Sequence, residues 1–193
     1  MQILKDDVRD NIMQAALKEF RTKGYQEASM RSIAQRAGMT VGNLYRYFRN
    51  KDDLFYNIIG PVYNRLLKFV LDGKPKSNDP QAHINFQEYI VESLVEIHKR
   101  FRSELLIIIE GCAGTRYEKA RDEFISLLAG KMLEAMKNHG YKNTEPFFAY
   151  VLATGYIEGM ILIFKNGTDE KLMQETMFKF NDFYFASGIC KGV

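Results

Sequence analysis

The sequence predicts an all-α fold: an N-terminal three-helix head containing a helix-turn-helix, then a larger helical body, about nine helices in all. Three observations predict it. Apolar residues recur at i, i+3, i+4 and i+7 through most long segments, the period of a helix with one buried face. Residues suited to starting and stopping helices stand at the ends of those segments. No two stretches read as partnered strands. Hydrophobic residues make up 46% of the 193, enough for a packed core.

Asp6 or Asp7 is placed to cap the first helix, whose inward stripe is Val8, Ile12, Ala16 and Phe20 with Met13 and Leu17 beside it. Gly24 ends it, residues 25–28 connect, and Ser29 caps the next helix. There Met30, Ile33, Ala34 and Ala37 form one apolar face, and Gly38 suits a left-handed C-terminal turn. Thr40 caps a third helix in which Val41, Leu44 and Phe48 point one way. Gly42, Asn43, Arg46, Tyr47 and, more obliquely, Tyr45 point elsewhere. Two short helices across a tight turn containing Gly make a helix-turn-helix.

Asn50 and Asp53 read as a capping pair for the fourth helix, which carries Leu54, Phe55, Ile58, Val62, Leu66, Leu67 and Val70. Gly60-Pro61 inside it predicts a kink or break near residues 57–61, either a hinge or a fixed bend. Residues 73–80 are a loop, and Asp79-Pro80 opens a helix to about residue 100 with Ile84, Tyr89, Ile90, Leu94 and Ile97 inward. The run 105–109 is apolar throughout and reads as a short buried helix, ended by Gly111 and Gly114. Residues 117–137 form the next helix, with Phe124, Leu127, Leu128, Met132 and Met136 inward. Residues 139–143 turn, and Thr144 or Glu145 caps a helix from Pro146 to about Lys165. Asn166-Gly167 ends that helix, and Thr168 caps the last, with a wide apolar face of Leu172, Met173, Thr176, Met177, Phe180, Phe183 and Tyr184.

At these residues the sequence resembles the TetR family of bacterial transcriptional repressors. The matching text is Ile33-Ala34 with Ala37-Gly38, then residues 44–48 (LYRYF), then Lys51-Asp52-Asp53-Leu54. Upstream, Ala15-Ala16-Leu17, Phe20 and Gly24-Tyr25 are similar to the family's first helix. The resemblance covers about residues 8–55. It implies a head at residues 1–52 that binds DNA and a body at residues 53–193 that binds an effector and dimerises.

Charge agrees. The net charge is +3, and residues 1–55, with ten Lys/Arg against seven Asp/Glu, hold all of that excess, as a phosphate-binding module requires. Candidate base-reading residues are Arg31, Val41, Gly42, Asn43 and Tyr45, with Thr40 at the helix start. Asn43 has the donor and acceptor pair for adenine N6 and N7, Arg31 suits guanine O6 and N7, and Gly42 permits close backbone approach. Arg46, Tyr47, Arg49 and Lys51 flank the helix as candidate phosphate contacts, and the resemblance assigns that role to Tyr47 and Lys51.

Heads of this size bind as dimers to spaced half-sites. The candidate dimer face is Tyr150, Val151, Thr154, Gly155 and Gly159, joined by Phe180, Phe183 and Tyr184 in a four-helix bundle between two subunits, or else an intrachain core. The resemblance implies a small, mostly apolar effector in the body. Candidate polar groups are His98, Glu110, Tyr117 and Tyr156, with Glu110 alternatively paired to Arg116 or Arg121 or lying at a surface turn.

Cys112 and Cys190 are too few for a disulfide framework or a thiolate metal site, and Cys112 reads as a buried filler. No metal or cofactor is expected. The start carries no secretory signal and no run of about 18 apolar residues is read, so a cytoplasmic chain without a membrane span is expected. The expected function is a ligand-responsive, non-enzymatic regulator that leaves a pseudo-palindromic operator when the effector binds. The alternatives are a TetR-like activator, an effector-free structural DNA binder and an all-helical enzyme with a helix-turn-helix-like head. Against the enzyme stand the absence of a nucleophile elbow, phosphate loop or metal spacing, and three histidines (His83, His98, His139) far apart in sequence.

Overall fold

The structure is a computed structural model describing residues 2–72, 80–138 and 145–185, with the side chains of 2–5, 72, 80–87 and 185 left aside. The expected roles of Asp79, His83, Ile84, His139, Thr144 and Cys190, and the turns at 73–79 and 139–143, lie outside the described residues. Among those described, eight helices and no strand are found: α1 (Gln2–Glu27), α2 (Met30–Arg36), α3 (Val41–Tyr45), α4 (Lys51–Asp72), α5 (Pro80–Glu110), α6 (Ala120–Asn138), α7 (Pro146–Asn166) and α8 (Glu170–Phe185).

The range Pro80–Glu110 spans two helical pieces across a break, so the expected helix to about residue 100 and the buried helix at residues 105–109 both stand. Phe101 (φ −131°, ψ 32°) kinks α5, and the helix resumes beyond it with Leu105 to Ile108 buried. Gly24 (φ 70°, ψ 173°) interrupts α1 as expected, and residues 25–27 beyond it are helical where a connection was expected. α1 starts at Gln2, which puts Asp6 and Asp7 inside the helix and not at its cap. α4 runs unbroken through Pro61, where a break was allowed for. α6 begins at Ala120, leaving Tyr117 in the turns before it.

The chain divides into two compact units: Met1–Arg65 with Ser103–Lys119, and Leu66–Arg102 with Ala120–Val193. In the first, Ile12, Ala16 and Phe20 of α1 and Ile33, Ala34, Leu44, Phe48, Leu54 and Phe55 form the buried core. The caps form as the residues imply. The Ser29 hydroxyl accepts from Ser32 N, that of Thr40 from Asn43 N, and Asn50 Oδ1 accepts from Asp53 N at 2.8 Å. Gly38 takes the left-handed turn at φ 71°. Gly60 is buried, and a Cβ there would stand 3.1 Å from the Tyr117 hydroxyl, so its bare backbone accommodates that ring beside Pro61.

In the second unit α6 packs on α7 and α7 on α8. Ile90, Leu94, Ile97, Phe124, Met132 and Met136 are buried as expected, while Leu127 and Leu128 are half-buried. Tyr89 and Leu172, expected inward, are 59% and 64% exposed. Asp169, not Thr168, caps α8, its Oδ1 accepting from Leu172 N at 2.7 Å. α7 is long and apolar enough to cross a membrane by length and composition, contrary to the reading that no such run exists. Tyr, Thr and Gly interrupt its aliphatic residues but bring no charge, and Glu158 alone is charged across residues 147–164.

Candidate nucleic-acid interface

The candidate interface is built on a short helix fixed from beneath. Leu44 and Phe48 are 0% and 1% exposed, so α3 cannot roll without opening the core. The α2–α3 turn is held by two further bonds, Met39 N to Ala34 O at 3.0 Å and Asn11 Nδ2 to Ala37 O at 3.0 Å. Arg9 adds a brace: its guanidinium lies 4.6 Å from the Phe48 ring centroid and donates to Asn57 Oδ1 at 2.6 Å.

Above this floor, Arg31 of α2 and Gly42, Asn43, Tyr45 and Arg46 of α3 and its cap are exposed. A Cβ on Gly42 would meet nothing within 4 Å, so the backbone there faces open space. Val41 and Tyr47 are half-buried. Arg49 is exposed, and its backbone N–H donates to Asp53 Oδ2 at 2.9 Å. Thr40 spends its hydroxyl oxygen on the α3 cap, which leaves it a structural task at the edge of the surface. α3 is one turn shorter than the helix expected to reach Phe48, because Arg46 N and Tyr47 N turn back to Asn43 O and Leu44 O at its C-terminus.

Lys51 departs from its expected place. Its ammonium donates to the carbonyl oxygens of Tyr25, Gln26 and Ala28 at 2.8, 3.1 and 3.0 Å.

Sequence reasoning missed Glu19. It is fully buried between α1 and α2, with Lys23 Nζ at 2.8 Å and Arg36 Nη2 at 3.2 Å. Burial raises its pKa, but hydrogen bonds from Lys23, Ser32 and Arg36 outweigh this and hold it below the ordinary value. A signal existed: position 19 falls on the same helical face as Ile12, Ala15 and Ala16, and an acid there requires a partner.

The candidate effector residues separate. Glu110 and Tyr117 belong to the first unit, His98 and Tyr156 to the second. Glu110 is exposed and meets Arg21 at 3.4 Å, neither of the two arginines expected. Arg116 instead lies 3.8 Å from the Tyr56 ring centroid, and Arg121 pairs with Glu158 at 2.6 Å. Tyr117 is buried against Tyr56 and Tyr63. The buried Tyr156 hydroxyl donates to Asn181 Oδ1 at 2.7 Å. His98 Nε2 lies 3.1 Å from Phe164 O, and since a carbonyl only accepts, Nε2 carries the proton. Burial lowers the His98 pKa, so this ring is neutral.

On α7 and α8, Tyr150, Val151 and Phe183 are exposed and Thr154 is half-buried. Gly155 and Gly159 face Tyr184 and Phe180 of the same chain, so the small residues serve at least the intrachain α7–α8 contact.

Residues 12–58 match the model of the bacterial regulatory proteins of the tetR family. The HTH-type transcriptional regulator UidR of Escherichia coli (strain K12) is 30% identical over 109 residues, 56% of this chain and 52% of that protein. The chain thus spans about half the length of that curated relative. Among solved structures, a TetR-family transcriptional regulator from Bordetella parapertussis 12822 superposes with a TM-score of 0.67 at 19% identity, covering 91% of this chain and 94% of that one. AibR, solved with isovaleryl coenzyme A and operator DNA, superposes with a TM-score of 0.62 at 17% identity, covering 89% and 96%. The head, residues 12–58, carries the sequence pattern of the TetR family, and the chain shares its fold with TetR-type regulators of known structure.

Proposed function

We propose that the protein is a transcriptional repressor that binds a pseudo-palindromic DNA operator as a homodimer and leaves it when a small, mostly apolar effector occupies the body. One observation carries the DNA reading. A short helix, capped at its start and pinned by buried Leu44 and Phe48, presents exposed Gly42, Asn43, Tyr45 and Arg46 with Arg31 beside them. Bases are read by Asn43, Arg31, Tyr45, Val41 and the Gly42 backbone, and phosphates are met by Arg46, Tyr47 and Arg49. Functionally the head is residues 1–52, and residues 53–193 bind the effector and dimerise.

Dimerisation is supported by the outer surface of α7 and α8. Only 28% of the most apolar stretch of α7 is buried. Phe147, Phe148, Tyr150, Val151 and Leu162 of α7 and Leu172, Phe178 and Phe183 of α8 are each at least 40% exposed. Apolar exposure on this scale is a protein-interaction signature. In a dimer reading DNA in the cytoplasm, this face meets its symmetry mate. The effector reading is supported by AibR, a protein of the same fold seen with an acyl-coenzyme A and its operator. Among the described residues of the second unit, His98, Tyr156 and Asn181 offer buried polar groups in apolar surroundings. Effector binding shifts the population between two dimer shapes, of which one holds the recognition helices at the half-site spacing.

The test is selection of bound sequences from a random duplex pool with wild type beside Tyr47→Ala. Wild type enriches a pseudo-palindrome and Tyr47→Ala does not. A folded, dimeric wild type that enriches nothing, with or without acyl-coenzyme A ligands, overturns the proposal.

A further inference from the structure

One charge interrupts the apolar outer stripe of α7. Phe147, Val151 and Leu162 are 73%, 48% and 60% exposed. The helical period puts Glu158 on the same stripe, between Val151 and Leu162. Arg121, in the first turn of α6, places both Nε and Nη2 2.6 Å from Oε1 of that carboxylate. The pair is neutral as a unit but not saturated. A guanidinium has five N–H donors and a carboxylate two acceptor oxygens. Among the described residues, Oε2 of Glu158 and Nη1 of Arg121 meet no further partner. Arg121 is exposed and Glu158 half-buried, so both groups remain open to a neighbouring molecule.

A patch that offers spare donors and a spare acceptor side by side within an apolar frame is complementary to itself. Under a twofold rotation, donor meets acceptor and acceptor meets donor. A wholly apolar partner would cover both and satisfy neither, burying charge with unmet bonds. We propose that Arg121 and Glu158 are the polar key of the face through which two copies of this chain associate: the Glu158 carboxylate of each copy accepts from the Arg121 guanidinium of the other. The proposal rests on the homodimer reading above and names what makes that surface select its own copy. In the single chain the pair is exposed and contributes little to stability. Inside the contact it is desolvated, so mismatched charges there repel strongly and exclude the wrong partner.

The test exchanges the charges. Arg121→Glu gives a chain with two acids at the key, and Glu158→Arg gives one with two bases. Circular dichroism checks that each is folded, and sedimentation over a concentration series reads association. Alone, each variant sets like against like, and its dimer dissociates about a hundredfold more readily than that of wild type. Mixed, the two variants meet acid to base at both positions across the axis, and a heterodimer forms with a dissociation constant within about tenfold of wild type. Single variants that dimerise as wild type does overturn the proposal, because the pair then lies outside the contact. A mixture that stays monomeric also overturns it, because the pair then acts within one chain only. If either single variant does not fold, the chain carrying Arg121→Glu and Glu158→Arg together decides, since it keeps an intrachain pair. It dimerises with itself but forms far fewer heterodimers with tagged wild type than random mixing gives, and random mixing overturns the proposal. A wild type that is monomeric at every concentration, with and without the selected operator, overturns the homodimer reading itself, and is recognised as such because it needs no variant.

Discussion

Glu19 and His98 are buried groups whose ionisation is set by what encloses them. Glu19 is an acid held ionised between Lys23 and Arg36, both of which reach solvent. Glu19→Ala removes the carboxylate and leaves two cations free to hydrate, so the cost is that of the lost charge-assisted bonds, about 2 kcal/mol. Urea unfolding at neutral pH measures it. Because the folded pKa lies below the ordinary 4.5, this contribution is fully present above that value. It is lost as the pH falls through the folded pKa, and the difference between wild type and Glu19→Ala shrinks in that acidic window. His98 is a base whose pKa is lowered by burial, despite the bond at Phe164 O, which raises it. Below the ordinary 6.5 the unfolded chain takes up a proton that the folded ring refuses. The His98 contribution to stability therefore declines as the pH drops from 6.5 to the folded pKa and is flat on either side of that window. His98→Asn abolishes this decline, which unfolding curves between pH 7 and pH 5 read directly.

At the scale of elements, the α7–α8 pair depends on two glycines in different ways. A Cβ on Gly159 would overlap the far edge of the Phe180 ring, and that ring is already stacked on Tyr156 with centroids 5.5 Å apart. A Cβ on Gly155 would crowd a single terminal atom, the Tyr184 hydroxyl at 2.5 Å, where one on Gly159 would crowd three atoms of a ring. Alanine gains about 1 kcal/mol in helix propensity at either position. Gly155→Ala is therefore neutral to mildly stabilising. Gly159→Ala destabilises by about 1–2 kcal/mol, since overpacking outweighs the gain. Thermal unfolding of the two variants side by side checks the order, and equal melting temperatures would contradict it.

For the molecule as a whole, the proposed dimer rests on the exposed apolar surface of α7 and α8. Val151→Glu and Phe183→Glu place charges where the proposed twofold contact is dry, and each removes a residue that is largely exposed in the single chain. The subunit stays folded, dissociates at micromolar concentration by sedimentation, and loses operator affinity by at least about a hundredfold as bivalent engagement is lost. A variant that remains dimeric would move the interface elsewhere.

Much of the first unit was legible in the sequence because its signals are local. Caps at Ser29, Thr40 and Asn50, the left-handed turn at Gly38 and the buried positions Leu44 and Phe48 each follow from a residue and its neighbours three or four places away. The same local rules misplaced the start of α1 but found the interruptions at Gly24 and after residue 100. The exposed row at Arg31, Gly42, Asn43, Tyr45 and Arg46 was likewise readable, since helical period alone sets it opposite the buried face. What sequence order could not supply were partners far apart along the chain: Glu19 with Arg36, Glu110 with Arg21, Tyr156 with Asn181, and Lys51 with the carbonyls of residues 25, 26 and 28. By itself the sequence determined an all-helical chain with a helix-turn-helix head, because helix period and capping are short-range. Only the tertiary structure decided which charged side chains face solvent and which are consumed in holding helices together, because that depends on which chain ends folding brings within a hydrogen bond's reach.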